Sequence, residues 1–397
     1  MRRSILCALL FLFVLPCALA DESQARDITK ACALTVSSGS RYVAYITDGR
    51  ITTRWKAANR GESWLEIAAP AGEAIGGVYL QFNETPAPWR AEVFDADAWR
   101  PVYESGFPAL HDTVRLETPA QRLRIISRDA KENLLGVAEL TVYGPGALPD
   151  TAQHWEPTHD KADILFLAAH ADDELIFFGG AIPTYDAQRG CRVVVAYLVN
   201  CGWQRHHELL DGLWSMGVRT YPVISPFRDK ATRDMETAYS AMGGAKKVRV
   251  WVTALFRQYR PEVVVTHGLG GEYGHGQHKA AANAAVRAFT RAADPAFDKP
   301  SAQKYGVWQV KKLYLHQYPD GSITMDWSRP LPALDGATGL EAAVRAFTFH
   351  VSQHEGAMDV THTGAQYDNT AFGLYATVVG PDAAGGDFME NIDVGAP

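Results

Sequence analysis

Two rhythms of apolar and polar residues divide this chain of 397 residues. From about residue 30 to 145, short runs alternate apolar with polar positions between turn residues. They are Trp64-Leu65-Glu66-Ile67, Gly77-Val78-Tyr79-Leu80-Gln81-Phe82, Ala91-Glu92-Val93-Phe94, Leu123-Arg124-Ile125-Ile126 and Leu140-Thr141-Val142-Tyr143. A period of two marks a half-buried strand, and many such strands at near-regular spacing predict an all-β antiparallel sandwich. Gly144-Pro145-Gly146-Ala147-Leu148-Pro149 reads as a linker. From about residue 160 to 397 the rhythm changes. Apolar runs at Asp163–Ala169, Val193–Val199, Arg219–Ile224, Pro261–His267 and Lys312–His316 predict strands. Helical periods at Leu175–Gln188, Gln204–Met216, Val248–Tyr259 and His278–Thr290 fall between them. Alternating strand and helix predicts an α/β unit, a Rossmann-like, mostly parallel sheet flanked by helices.

The first strand of that unit ends in a dense polar group, His170-Ala171-Asp172-Asp173-Glu174. The carboxyl end of a strand in an open α/β sheet is where ligands bind. A His and three carboxylates packed there repel or desolvate one another unless a cation offsets them. The bland alternative is an acidic first turn that complements a helix dipole. No glycine-rich dinucleotide fingerprint follows this strand, so a nucleotide cofactor is not expected. The strand ending at His267 runs into Gly268-Leu269-Gly270-Gly271-Glu272-Tyr273-Gly274-His275-Gly276-Gln277-His278. Dense glycine lets backbone approach a ligand closely, and His275 and His278 stand three apart at the mouth of the next helix. Two His and one carboxylate with an open position form a catalytic metal set that suits Zn²⁺. Of two adjacent aspartates, one can ligate while the other serves as base. His206 and His207 read as solvent-facing helix residues, His316 and His350 as structural, and Glu174 as a supporting group.

Composition changes the picture at the N-terminus. Met1-Arg2-Arg3, the apolar run Ile5–Leu15 and Ala18-Leu19-Ala20 form a secretory signal peptide over residues 1–20. The mature chain is then exported, periplasmic or secreted, with no later stretch apolar enough to span a bilayer. A net charge of -7 does not favour a nucleic-acid partner. Cys32, Cys191 and Cys201 remain after the signal, too few for a disulfide framework. Cys191 and Cys201 flank a strand and lie too far apart to bridge.

Two resemblances follow from these motifs. Ala169-His170-Ala171-Asp172-Asp173-Glu174 and Gly271-Glu272-Tyr273-Gly274-His275-Gly276-Gln277-His278 resemble the paired signatures of the LmbE-like, GlcNAc-phosphatidylinositol de-N-acetylase (PIG-L) superfamily. Arg205 with Glu208, His350-Val351-Ser352-Gln353 and Phe372-Gly373-Leu374-Tyr375 are similar to weaker family positions. The resemblance implies a zinc-dependent hydrolase that removes acetyl from an amino sugar. It implies His170, Asp173 and His278 as metal ligands and Asp172 as general base. His275 would steady the tetrahedral intermediate or protonate the amine, and Tyr273 would be an oxyanion donor. The family usually has Pro where Ala171 stands, and often an acid where Gln277 stands, which bears on the charge of His275. The earlier module resembles discoidin-like, galactose-binding-type sandwiches through Thr47-Asp48-Gly49, Arg54-Trp55, Trp64–Ile67, Arg122–Ile125 and Ala138–Tyr143. That resemblance implies glycan binding, with Trp55, Trp89 and Trp99 as candidates to stack on sugar rings. Two further readings stay open: a glycan-binding protein on an inactive scaffold, and a non-haem Fe(II) enzyme built on His170-x-Asp172.

Overall fold

The computed structural model describes residues 23–58, 63–127, 134–354, 359–360 and 366–393. The segment read as a signal peptide, residues 1–20, lies outside them. Two antiparallel sheets form the first module. One runs in the order Ala33–Val36, Trp64–Ala68, Arg122–Ser127, Trp89–Asp95, Ala98–Glu104. The other runs Trp55–Lys56, Gly136–Tyr143, Ile75–Phe82, His111–Ala120. Leu65, Ile67, Leu123 and Ile125 from the first sheet and Val78, Leu80, Val114, Leu140 and Val142 from the second fill the space between them. Period-two patterning drives this packing, because every second side chain points inward. Trp55 and Trp89 belong to that core rather than to a sugar platform. Trp55 is fully buried and donates its indole N–H to the Ser38 carbonyl, and Trp89 packs on Phe82 and Tyr103. Trp99 stays partly exposed, covered by the guanidinium groups of Arg122 and Arg124.

The second module is a seven-stranded sheet in the order Val223–Ile224, Val193–Tyr197, Ile164–Ala168, Val263–Thr266, Lys312–His316, Ala371–Thr377, Ser322–Thr324. The first five are parallel and the last two antiparallel to their neighbours. The chain starts at the middle strand, steps outward on one side, then returns to the other side at Val263. That reversal makes Ile164–Ala168 and Val263–Thr266 neighbours in register, Ile164 opposite Val263 and Leu167 opposite Thr266. Their carboxyl ends open onto one crevice, the topological switch point of such a sheet.

Three expected elements differ. The helix expected over Leu175–Gln188 is broken into Asp173–Ile176, Ala181–Pro183 and a wider turn at Thr184–Gln188. The cause is Gly179 at φ +52 followed by Gly180, which packs so closely on Gly339 and Trp327 that a Cβ would not fit. The strand expected over Arg219–Ile224 shrinks to Val223–Ile224, because Thr220 pairs instead with Glu156 of the inter-module connection. The helix expected at His278 begins at Gly276, which leaves His275 as its N-cap.

The modules meet through buried polar contacts. His111 of the sandwich places Nε2 2.6 Å from Nδ1 of His207, and both rings are fully buried. Gln153 joins His111 Nδ1 at 2.8 Å and donates to Asp211 at 2.6 Å. Trp155 packs edge-on against Trp214 and Tyr221. His207 is thus a junction residue, not solvent-facing. His206 is half-buried beside it. Cys32, Cys191 and Cys201, the cysteines among the described residues, are free. No helix among the described residues is long and apolar enough to cross a membrane.

Candidate metal centre

Beyond the strand Ile164–Ala168 the backbone turns sharply into the first helical turn. Asp172 sits at φ +108, a conformation that L side chains rarely adopt. It is held there by its own N–H, which donates to Glu174 Oε2 at 2.9 Å, and by Arg205, which reaches both Asp172 Oδ2 at 2.9 Å and the Ala171 carbonyl. The strained turn sends the two aspartates in different directions. Asp172 faces Arg205, whereas Asp173 turns inward, with Oδ2 accepting from the His170 backbone N–H at 2.7 Å.

Across the crevice, Val263–Thr266 delivers His267 and the glycine loop. Gly271 has φ +62, and a Cβ there would strike the His275 carbonyl. The loop therefore folds tightly enough to bring the first turn of helix Gly276–Arg291 against His170. Three donor atoms converge: His170 Nδ1 to Asp173 Oδ2 is 3.1 Å, His170 Nδ1 to His278 Nε2 is 3.2 Å, and His278 Nε2 to Asp173 Oδ2 is 3.3 Å.

Each imidazole is tied from its outer side. His170 Nε2 donates to Gln277 Oε1 at 3.0 Å, and His278 Nδ1 donates to Glu272 Oε2 at 2.8 Å. Those bonds leave a lone pair on the inner nitrogen of each ring. Gln277 is itself fixed by the Lys230 N–H on its oxygen and the Arg228 carbonyl on its amide N–H. Its side chain thus serves His170, not His275 as the motif alone suggested. Among the described residues, His275 receives the Gln277 backbone N–H on Nδ1 at 3.3 Å and no other hydrogen bond. With Nδ1 accepting, the His275 proton sits on Nε2. Burial, then the neighbouring His170, pushes this imidazole down to about 4, so it is neutral near pH 7.

The sequence did not single out the next layer. Glu272 is buried and takes three imidazole N–H groups: His267 Nδ1 at 2.6 Å, His278 Nδ1 at 2.8 Å and His316 Nδ1 at 2.7 Å. Despite its burial, these donors keep the carboxyl well below the usual range. His267 Nε2 accepts the Ala169 N–H at 2.9 Å and stacks on His278. His267 also groups with Asp173 and His278 as a possible donor set, as His275 does with His170 and His278. The signal in the sequence was only a lone acid within the glycine-rich loop Gly271-Glu272-Tyr273-Gly274. His350 is fully buried beside Phe347. Glu208 accepts from the Ser352 N–H and hydroxyl.

The pocket above these donors has a volume of about 260 Å³, and Asp172, Arg205, Tyr273, His275, Phe347 and Gln353 form its walls. Tyr273 is 40% exposed at the rim, with its ring 5.1 Å from that of His278. Burial pushes the Asp172 carboxyl up to about 7, against the opposing charge of Arg205. Glu174 is raised to about 8 by burial, then by Asp172. The carboxylate that joins the imidazoles is Asp173, while Asp172 is engaged by Arg205. The pairing read as His170-x-Asp172 is therefore His170 with Asp173.

A family described as GlcNAc-PI de-N-acetylase (PIG-L) matches residues 165–289. The chain is 36% identical over 220 residues to the 1D-myo-inositol 2-acetamido-2-deoxy-alpha-D-glucopyranoside deacetylase of Geodermatophilus obscurus, covering 46% of this chain and 72% of that one. The chain belongs to this family. Deacetylase 1 of the same description from Frankia casuarinae is 31% identical over 226 residues, covering 47% of this chain and 67% of the relative. Two further such relatives, from Frankia alni and Streptomyces scabiei, are spanned over 59% of their length. The sandwich is similar to the family 32 carbohydrate-binding module of Clostridium perfringens NanJ, solved with galactose. The identity is 15% and the TM-score 0.27, over 30% of this chain and 98% of that one. The de-N-acetylase match thus covers both crevice strands and all six residues singled out for chemistry: His170, Asp172, Asp173, Tyr273, His275 and His278.

Proposed function

We propose that the chain is a zinc-dependent hydrolase that removes the N-acetyl group from amino-sugar units. One observation carries this: three inner donor atoms 3.1, 3.2 and 3.3 Å apart, on rings whose outer nitrogens are already committed. Donors around a tetrahedral zinc at about 2.0–2.2 Å stand roughly 3.3–3.5 Å from one another. His170, Asp173 and His278, with separations close to those, would hold the ion beneath the pocket. A mixed imidazole and carboxylate set also favours zinc over the hard, all-oxygen cations.

Zinc bound there would supply Lewis acidity and a water acidic enough to ionise near neutral pH. Asp172 takes the proton of the attacking water on Oδ1, the oxygen Arg205 leaves free. A carboxyl near 7 is suited to taking a proton and returning it. Asp172 then hands that proton to the departing sugar amine. His275, neutral with its proton on Nε2, donates to the acetamide oxygen as negative charge builds, and Tyr273 donates from the rim. Arg205 keeps Asp172 in its strained turn throughout.

Acetate release from a panel of N-acetylated amino sugars and oligomers, measured with and without a chelator beside metal analysis, tests this. Chelator-sensitive acetate release with one zinc per chain is expected. Acetate release that ignores the chelator, or none from any member, would overturn it. The homologous deacetylases act on an N-acetylated glucosamine unit, which is why that unit leads the panel. Export is part of the proposal and rests on Met1–Ala20. The mature N-terminus should be Asp21 in protein recovered outside the cytoplasm, and an intact Met1 there would count against it.

A further inference from the structure

Two sequence motifs converge at the metal-site pocket. Helix Trp203–Ser215 sets Arg205 among its walls, and Glu208, three residues on, lies on the same helix face. His350-Val351-Ser352-Gln353 follows helix Gly339–Phe347 and closes a single turn, and Gln353 lines the same pocket. Backbone holds this turn. The Gln353 N–H donates to the His350 carbonyl at 2.8 Å, and the His350 N–H to the Phe347 carbonyl at 2.9 Å.

Buried Glu208 ties the two segments together. Its Oε1 accepts the Ser352 N–H at 2.9 Å and the Gln204 amide N–H at 3.2 Å. Its Oε2 accepts the Ser352 hydroxyl at 2.6 Å. Gln353 Nε2 in turn donates to Ser352 Oγ at 3.0 Å. These contacts fix a direction. A carboxylate accepts and cannot donate, so the one hydroxyl proton of Ser352 is committed to Glu208. Ser352 Oγ can then only accept from Gln353, which must turn its NH₂ toward it. The Gln353 oxygen, Oε1, takes no donor among the described residues. The relay thus ends in an acceptor of fixed polarity on a residue that walls the pocket.

A sugar ring gives that acceptor something to meet. The pocket volume of about 260 Å³ exceeds what an acetamide fills, so ring hydroxyls enter with it and lose water. A hydroxyl taken out of water needs an acceptor. The wall carboxylates already have partners: Arg205 is 2.9 Å from Asp172, and His170 Nε2 is 3.5 Å from Asp229. Gln353 Oε1 is the uncommitted neutral acceptor beside them. It takes a neutral hydroxyl without stranding a charge.

We propose that Gln353 is a specificity residue whose amide oxygen accepts from a ring hydroxyl of the amino sugar, and that Glu208 and Ser352 are positioning residues that set which way the amide points. The inference rests on the de-N-acetylase reading for the pocket. Acetate release is measured on the methyl glycoside of N-acetylglucosamine and on its 3-deoxy, 4-deoxy and 6-deoxy analogues. Gln353→Leu should raise KM about three- to tenfold on the parent with kcat nearly the same, as when one neutral hydrogen bond is lost from uniform binding. For the one analogue that lacks the paired hydroxyl, this penalty should vanish. Glu208→Gln should reverse the relay. Its amide oxygen stays where two N–H donors meet, so its NH₂ faces Ser352 Oγ. The hydroxyl proton then turns to Gln353, whose amide flips and brings NH₂ to the pocket. The penalty of Glu208→Gln should match that of Gln353→Leu and add little to it in the double variant. If Glu208→Gln does not fold, Ser352→Ala, at an exposed residue, takes its place in the cycle. No change for Gln353→Leu, an equal penalty on all the glycosides, or full additivity in the double variant overturns the proposal. Should the wild type release no acetate, the hydrolase reading falls and calorimetry with the same glycosides decides. Parent binding weakened by Gln353→Leu, with one analogue's binding unaffected, supports the Gln353 contact; an equal change for all, or no binding, overturns it.

Discussion

Exchange of Glu272 for Gln replaces one carboxylate oxygen by an NH₂ at a point where three imidazole N–H groups and the Gly268 N–H converge. The amide has one acceptor oxygen, so its NH₂ must face at least one ring that is also donating. Oε2 serves both His267 and His278, and Oε1 serves His316. If the NH₂ lies toward His278, that ring gives up its proton at Nδ1 and carries it on Nε2, the nitrogen aimed at Asp173. If it lies toward His316, the mismatch moves one strand away, yet the charge that makes His278 a stronger donor is gone in both cases. Loss of such an orienting carboxylate lowers metal affinity about 10–100-fold, or roughly 1.4–2.8 kcal/mol. The metal-free fold also loses about 1–3 kcal/mol, because a buried donor is left without an acceptor. Competition with a chromogenic chelator reads the first quantity and urea unfolding after chelation the second. Acetate release should recover at saturating zinc, since no reacting group has been removed. Metal affinity within about twofold of the wild type would refute the argument that Glu272 sets the tautomer of a ligand.

Asp172→Asn should lower kcat/KM by about 10²–10⁴-fold while zinc content stays the same, because the base is lost and the donors are kept; loss of zinc with activity would reassign Asp172. Tyr273→Phe should lower kcat about tenfold or more with KM nearly unchanged, as expected for a donor used only when charge develops. Dialysis against a strong chelator should abolish acetate release, and zinc should restore it better than Mg²⁺ or Ca²⁺. Burial pushes the Asp211 carboxyl from 3.8 up to about 7. Between those values the folded state holds a proton that the unfolded chain has released, so this group's contribution is full below pH 4 and lost as pH rises through 7. Asp211→Asn keeps the Gln153 contact and should add about 1–2 kcal/mol at pH 8 and nothing at pH 4 in urea unfolding, less than the full shift because the side chain is 27% exposed.

Much of this was legible from short-range pattern. The run Ile164–Ala168 is apolar at every position because both faces of a central parallel strand are covered, and that run located the turn carrying His170 and Asp173. The second motif was legible because glycine density before a helix has few other uses. The orienting residues were not. Glu272 collects rings from the ends of two strands and from a helix, and no local spacing records that convergence. Gln277 looked like a departure near His275, yet position 277 is on the side of the first helical turn that faces His170. His207 looked exposed because one face of helix Trp203–Ser215 is polar, but that face is covered by the other module. The break at Gly179-Gly180 was visible as glycine, though its cause, close approach of Gly339, lies far away in sequence.

The joint between His111 and His207 bears on how the two modules act together. A flexible connection would act as a leash, raising the local supply of glycan in proportion to its length. A buried, hydrogen-bonded seam fixes the offset between any sugar held on the sandwich and the cleft. A ligand held on the sandwich would then lie at one set distance from the crevice, and only a ligand of matching reach would gain from being held there.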